Sequence, residues 1–213
     1  MGEQIKLVIL DLDGTVLDTR EFLYQGFEHA IKVYNLHQRT RAELDHVISV
    51  TKYLPEAYAL LGVKDNVEEI IKTHLAFRSK NLDLVKVFPD VIETLDHIHS
   101  LNIKIAALTN RLKHLHETLD ITGIKGYLDL LITKNDITNP KPHPEGIIKI
   151  LIHFSITKNQ ALIVGDTRDD IITGKNAGIK TVGVTYGFGS NDIRKSNPDY
   201  LIDKFPELLK VIQ

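Results

Sequence analysis

Residues 5–15 read Ile-Lys-Leu-Val-Ile-Leu-Asp-Leu-Asp-Gly-Thr, a short apolar run that stops in two carboxylates, a glycine and a hydroxyl. Asp11 and Asp13 stand two residues apart, and on extended chain such residues project to the same side. Like charges held that close repel, and a bound cation or a proton on one of them relieves the repulsion. Gly14 lets backbone come near a ligand, and Thr15 adds a hydroxyl. A calcium loop would need glycine at its sixth position and glutamate at its twelfth. Counted from Asp11, glycine is fourth and the twelfth residue is Phe22, so that alternative fails. An ordinary Asp-Gly turn remains open for this segment taken alone.

Three more apolar runs end in groups of the same kind. One gives way at Leu108 to Thr109-Asn110, and another at Val164 to Gly165-Asp166-Thr167-Arg168-Asp169-Asp170. Between them lies Asn139-Pro140-Lys141-Pro142-His143-Pro144, where prolines restrict the backbone around a lysine. Each of these reads singly as a solvated loop. Jointly they bring carboxylates, a hydroxyl, an amide and one cation to a common edge, a set suited to a dianion and a divalent metal.

The elements that must carry these groups follow from hydrophobic periodicity. The first run, rich in branched residues, reads as a strand buried on both faces of a parallel sheet. Open sheets of that type bind ligands beyond the carboxyl ends of their strands, where Asp11 and Asp13 fall. After Asp18 the pattern turns helical, with Phe22, Phe27, Ala30, Ile31 and Tyr34 near helix spacing, and it stays so to about residue 83. Thr40 with Glu43 reads as a capping box, Pro55 opens a helix closed by Gly62, and Asn66 with Glu69 starts another. From Pro89 helix and strand alternate. Residues 91–101 read as a helix, and 103–108, 128–133, 161–164 and 181–184 as strands. The expected fold is therefore α/β, a Rossmann-like doubly wound parallel sheet with an inserted all-helical cap domain. Its expected limits are 1–17 and 84–213 for the core, and 18–83 for a cap over the sheet edge.

Composition narrows the function classes. The chain has 213 residues, 26 basic against 28 acidic, and no cysteine. Such a balance offers no basic field for nucleic acid or an anionic membrane surface, and small-molecule partners are expected. Without thiols a metal site must use oxygen or imidazole. The amino terminus enters a strand directly, with no signal-peptide pattern, and no apolar run reaches membrane-spanning length, so a cytoplasmic location is expected. Lys6 stands where a myristoylation signal would place serine or threonine.

Asp11-Leu-Asp13-Gly14-Thr15, Leu108-Thr109-Asn110, Lys141-Pro142 and Gly165-Asp166 through Asp170 resemble, in order, the four motifs of the haloacid dehalogenase superfamily. Val164 to Ile171, Asn176-Ala-Gly178 and Gly183 to Gly189 resemble the phosphoglycolate phosphatase subgroup, as does the helical insertion. The resemblance implies a phosphatase with Asp11 as nucleophile and Asp13 as general acid, then base. It implies Mg²⁺ bound by Asp11, the Asp13 backbone carbonyl and Asp166, with Asp170 supporting the metal site. Thr109, Asn110, Gly14 and Thr15 would hold phosphoryl oxygens, and Lys141 would neutralise phosphate and nucleophile. Asp13 disfavours dehalogenation and favours phosphoryl transfer.

Other polar residues invite weaker readings. His97 with His99, and His114 with His116, are two apart and do not share a helix face, so metal binding by them is not expected. His143 stands near Lys141 but reads as incidental. Lys52, in Thr51-Lys52-Tyr53-Leu54, falls where related caps carry a specificity loop, although the glycine expected there is missing; Arg39, Arg41 and Arg78 are lesser candidates. The expected substrate is a small phosphorylated metabolite, phosphoglycolate first, handled by a monomer or homodimer. The alternatives are pyrophosphate or a nucleotide, a sugar phosphomutase, and a non-catalytic phosphate-binding regulator.

Overall fold

The computed structural model describes residues 4–51, 53–111 and 113–213. Its strands are β1 Leu7–Leu10, β2 Leu17–Asp18, β3 Lys86–Val87, β4 Lys104–Thr109, β5 Leu130–Thr133, β6 Ala161–Gly165, β7 Lys180–Val184 and β8 Tyr200–Ile202. Its α-helices are α1 Arg20–Val33, α2 Arg41–Val50, α3 Leu54–Leu60, α4 Val67–Lys80, α5 Val91–Ser100, α6 Leu115–Ile121, α7 Glu145–Phe154, α8 Arg168–Ala177, α9 Ser190–Lys195 and α10 Leu208–Ile212. The chain forms two compact units, Met1–Asp18 with Lys86–Gln213, and Thr19–Val85.

The first unit is built on a six-stranded sheet of order β5-β4-β1-β6-β7-β8, with neighbouring strands parallel. Parallel strands need crossovers, and the helices that supply them cover the sheet faces; this is why β1 and β6 are buried along their whole length. On one face Leu7, Ile9, Ala106, Leu108 and Ile163 pack against Ile147 and Ile150 of α7. Alternation turns Val8 and Leu10, equally buried, to the other face. With both faces covered, polar residues concentrate at strand ends, and the register aligns those ends. Leu10 pairs with Ala107 on one side and Val164 on the other, so Asp11, Thr109 and Asp166 emerge at one edge. β2 and β3 form a separate antiparallel pair where the chain leaves this unit and returns to it. Two residues are too few for a readable alternation, and neither strand is expected from sequence. The expected strands at 103–108, 128–133, 161–164 and 181–184 each lie within two residues of an observed one.

The second unit comprises α1 to α4 around its own core of Phe27, Ala30, Leu44, Tyr58 and Ile70. The Thr40 capping box is present, with Glu43 Oε2 accepting from the Thr40 backbone N–H at 2.8 Å. Pro55 lies in the first turn of α3, and Gly62 follows it at φ +77°. The helix expected to start at Asn66 is α4, which begins at Val67, although without a side-chain cap. Asn66 adopts the left-handed conformation and its side chain makes no capping hydrogen bond. A capping side chain acts from extended backbone, so a left-handed residue points its amide elsewhere. Inside this unit His74 is fully buried, with Nδ1 2.9 Å from the Tyr58 hydroxyl and its ring edge-on to Phe27. Burial, helped by the charges of Arg78 and His29, drives the His74 pKa down to about 3, so the imidazole is neutral.

Candidate active site

The site begins with the abrupt end of β1. The Asp11 backbone N–H still donates to Val164 O at 2.9 Å, so the residue that follows the strand is held at the sheet edge beside β6. The chain then turns tightly, with Gly14 at φ +89° and its N–H donating to Leu17 O at 2.8 Å. Only glycine adopts this conformation without strain, and here space forbids a side chain as well. A Cβ on Gly14 would run into the Asp166 carboxylate and lie 2.9 Å from the Phe188 ring. Gly187 meets Asp166 in the same way. The carboxylate is thus packed tightly between two turns, and its Oδ2 accepts the Phe188 backbone N–H at 2.7 Å.

Lys141 occupies the centre. Its ammonium donates to Asp11 Oδ1 at 2.5 Å and to Asp170 Oδ1 at 2.6 Å, and the lysine is 5% exposed. Burial alone would push the ammonium pKa down, but the charges of Asp11 and Asp170 outweigh it and hold the pKa above the ordinary lysine value. The lysine cannot wander because its loop is tied at several points. Glu145 accepts the backbone N–H groups of Thr138 and Asn139, each at 2.9 Å, and the donors hold its carboxyl at about 2. Asn176 Nδ2 donates to Pro142 O at 3.1 Å, and the Lys141–Pro142 peptide is cis. His143, the bystander expected from sequence, accepts the Glu145 N–H at 3.2 Å and so belongs to the loop scaffold.

Asp170 is fixed from two directions. While Oδ1 faces Lys141, Oδ2 accepts from Thr167 N at 3.0 Å and Thr167 Oγ1 at 2.6 Å, a capping box at the start of α8. The cap converts a helix-start motif into a rigid placement of an anion at the sheet edge. Among the described residues, Asp11, Asp166 and Asp170 are the group able to hold a metal ion, with one oxygen of each within 4.8 Å of the others, all buried. Three carboxylates against one ammonium give this cluster a net formal charge of −2. Buried charge of that kind calls for a cation, and an all-oxygen donor set suits a hard divalent ion such as Mg²⁺. The residues present fit the expected metal.

Asp13 stands apart from that cluster. Its Oδ1 receives Arg111 Nη1 at 2.9 Å, and its side chain is 30% exposed. Thr109, nearly fully buried at the end of β4, accepts the Arg111 backbone N–H at 3.1 Å. Asn110 Nδ2 donates to Lys141 O at 3.4 Å, joining the β4 end to the lysine loop. Thr15 is fully buried, its hydroxyl has no hydrogen-bond partner among the described residues, and its carbonyl accepts the Tyr186 hydroxyl at 2.8 Å. Burial and the charge of Asp166 raise the Tyr186 pKa, so this phenol stays a neutral donor.

Lys52 lies outside the described residues. The other basic candidates of the helical unit have structural partners within it. Arg39 Nη2 donates to Leu61 O at 2.5 Å, Arg41 pairs with Glu21 at 2.6 Å, and the Arg78 guanidinium lies 4.4 Å from the Phe22 ring centre. Arg111, Thr167 and Phe188 carry site geometry that sequence reasoning missed. Thr167 had a readable signal, since Thr-x-x-Asp before α8 has the spacing of a cap. Arg111 follows the Thr109-Asn110 pair directly, but nothing in the sequence says where its side chain turns.

A family model for haloacid dehalogenase-like hydrolases matches residues 8–184. The chain belongs to that family. Pyrophosphatase PpaX of Anoxybacillus flavithermus is 30% identical over 211 residues, covering 98% of this chain and 97% of the relative. A solved structure described as a predicted phosphoglycolate phosphatase from Haemophilus somnus superposes with TM-score 0.86 at 28% identity, covering 99% of each chain. A haloacid dehalogenase superfamily hydrolase from Geobacter sulfurreducens shares the fold, with TM-score 0.83 at 23% identity, covering 98% of this chain and 97% of that one. Within the matched span, the ends of β1, β4 and β6 and the Lys141 loop meet at one edge of the sheet. In addition, no helix among the described residues is long and apolar enough to cross a membrane.

Proposed function

We propose that this hydrolase is a Mg²⁺-dependent phosphatase that transfers the phosphoryl group of a small phosphorylated compound to water through an aspartyl-phosphate. The observation that supports this best is the Lys141 ammonium bridging Asp11 and Asp170 inside an acidic cluster whose oxygens are spaced to hold a cation. A carboxylate is a weak nucleophile unless it is kept ionised and aimed, and the bridge does both. Asp11 Oδ bonds to phosphorus while the bond from phosphorus to the leaving oxygen breaks, and Asp13 gives that oxygen a proton. Asp13 then takes a proton from the water that attacks phosphorus, and the bond to Asp11 breaks to release inorganic phosphate. Lys141 and the backbone amides of the first loop offset charge on the phosphoryl oxygens, with Thr109 and Asn110 at the neighbouring strand end. Asp11, Asp166, Asp170 and the Asp13 carbonyl would hold the metal. When bound it supplies Lewis-acid neutralisation of phosphoryl charge.

Two substrates lead. Pyrophosphate is favoured by end-to-end relatives named pyrophosphatase at 30% identity, and phosphoglycolate by the motif resemblance and the Haemophilus somnus neighbour. We place the enzyme in the cytoplasm, as a monomer or homodimer. The test is phosphate release from pyrophosphate, phosphoglycolate, a nucleotide and p-nitrophenyl phosphate, with and without Mg²⁺, for wild type and Asp11→Asn. Metal-dependent release abolished by Asp11→Asn is expected. Equal rates for wild type and variant would end the nucleophile assignment, and, with a hexose 1-phosphate added to the panel, its conversion to the 6-phosphate in place of free phosphate would make the protein a mutase.

A further inference from the structure

We infer that Arg111 is a positioning residue that holds Asp13 in the one orientation from which it can serve both proton transfers; this rests on the phosphatase reading above. Arg111 follows Thr109-Asn110 at the end of β4, and its side chain is 9% exposed. Each nitrogen of its guanidinium has a named acceptor. Nη1 donates to Asp13 Oδ1 at 2.9 Å, Nη2 to Thr118 Oγ1 at 2.7 Å on α6, and Nε to Lys113 O at 3.3 Å. Thr118 is itself oriented, since its hydroxyl donates to His114 O at 2.6 Å and is therefore presented to Arg111 as an acceptor. The backbone N–H of Arg111 is tied to Thr109 Oγ1 at 3.1 Å. The fork is consequently fixed by α6 and by its own loop before it meets Asp13.

Asp13 needs such an anchor. Asp11 and Asp170 are each pinned by Lys141 and Asp166 is packed between glycines, whereas the Asp13 side chain is 30% exposed and outside the acid cluster. A partly exposed carboxylate on two rotatable bonds samples several orientations, and a charge-assisted hydrogen bond from a rigid donor selects one. The bond takes one carboxylate oxygen, Oδ1, which leaves Oδ2 as the oxygen to meet the leaving group and then water. A planar guanidinium held at three nitrogens does this in a way an ammonium cannot.

The test uses the two chemical steps of one substrate. p-Nitrophenolate leaves phosphorus without needing a proton, so formation of the phosphoenzyme from p-nitrophenyl phosphate depends little on Asp13, while its hydrolysis needs Asp13 as base. Rapid mixing of the enzyme with p-nitrophenyl phosphate and Mg²⁺ reads the first step as a burst of p-nitrophenolate and the second as the steady rate. For Arg111→Met the burst should keep its rate within about threefold, while the steady rate falls about 10²-fold, the loss typical of a reacting group displaced by about 1 Å. Arg111→Lys should stay close to Arg111→Met. Asp13→Asn should show the same split more strongly, and Asp11→Asn should show no burst. A split for Asp13→Asn with none for Arg111→Met, or burst and steady rate falling together, would overturn the positioning role. Wild type without turnover, or Asp13→Asn without a split, would overturn the reading beneath it.

Discussion

Replacing Lys141 with methionine keeps the length of the side chain and removes its charge, which isolates what the ammonium does. Its contacts with Asp11 at 2.5 Å and Asp170 at 2.6 Å are each worth about 6 kcal/mol of Coulomb attraction at an effective dielectric of about 20. Desolvation of three buried ions cancels much of this. What a variant feels is the cost of leaving charge without its partner, about 3–5 kcal/mol for buried pairs. For a chain of this size that corresponds to a fall in Tm of roughly 6–20 °C, at about 2–4 °C per kcal/mol. The variant also concentrates three carboxylates without a compensating ammonium, so a divalent ion should stabilise it more than it stabilises wild type. Thermal unfolding of both proteins with EDTA and with Mg²⁺ reads the stability term. Turnover of p-nitrophenyl phosphate, measured where both are folded, reads the catalytic term, expected to fall about 10²–10³-fold as for removal of one transition-state charge donor. A Tm within about 2 °C of wild type in EDTA and a kcat within about threefold would refute the idea that this lysine balances the cluster.

Two further substitutions probe the frame around the site. Gly14→Ala places a Cβ against the Asp166 carboxylate on backbone at φ +89°, with strain of about 1–3 kcal/mol, and should weaken Mg²⁺ binding in calorimetry more than it lowers Tm. Unchanged metal affinity would separate Gly14 from Asp166. His74, held neutral by burial with its pKa near 3, takes up no proton in the folded state between about pH 6.5 and 3, whereas the unfolded chain does. Its contribution to stability is therefore intact above about pH 6.5 and is lost on acidification at up to about 1.4 kcal/mol per pH unit until pH approaches 3. His74→Phe should flatten the fall in stability over that window, and an unchanged slope in denaturant titrations would show that other groups set it.

The parallel sheet was legible because burial on both faces forces near-continuous apolar runs, and Leu7–Leu10 and Ala161–Gly165 are such runs. The motif residues were legible for the complementary reason: polar groups at the ends of those runs have nowhere to go but the sheet edge. Sequence was silent wherever a side chain chooses its partner across the fold. Asn66 has the residue type of a cap, but its left-handed backbone overrides the propensity. Thr167 and Asp170 read as a metal-loop segment, yet the helix cap between them is what aims Asp170 at Lys141. Arg111 shows the limit most clearly, since its contact with Asp13 spans 98 positions and depends on a threonine of α6. Chemistry-bearing residues are thus announced by their type and their place at strand ends, whereas Arg111, which aims one of them, is identified by geometry alone. A variant series confined to the motifs would reach Asp13 itself and miss Arg111, the contact that orients it.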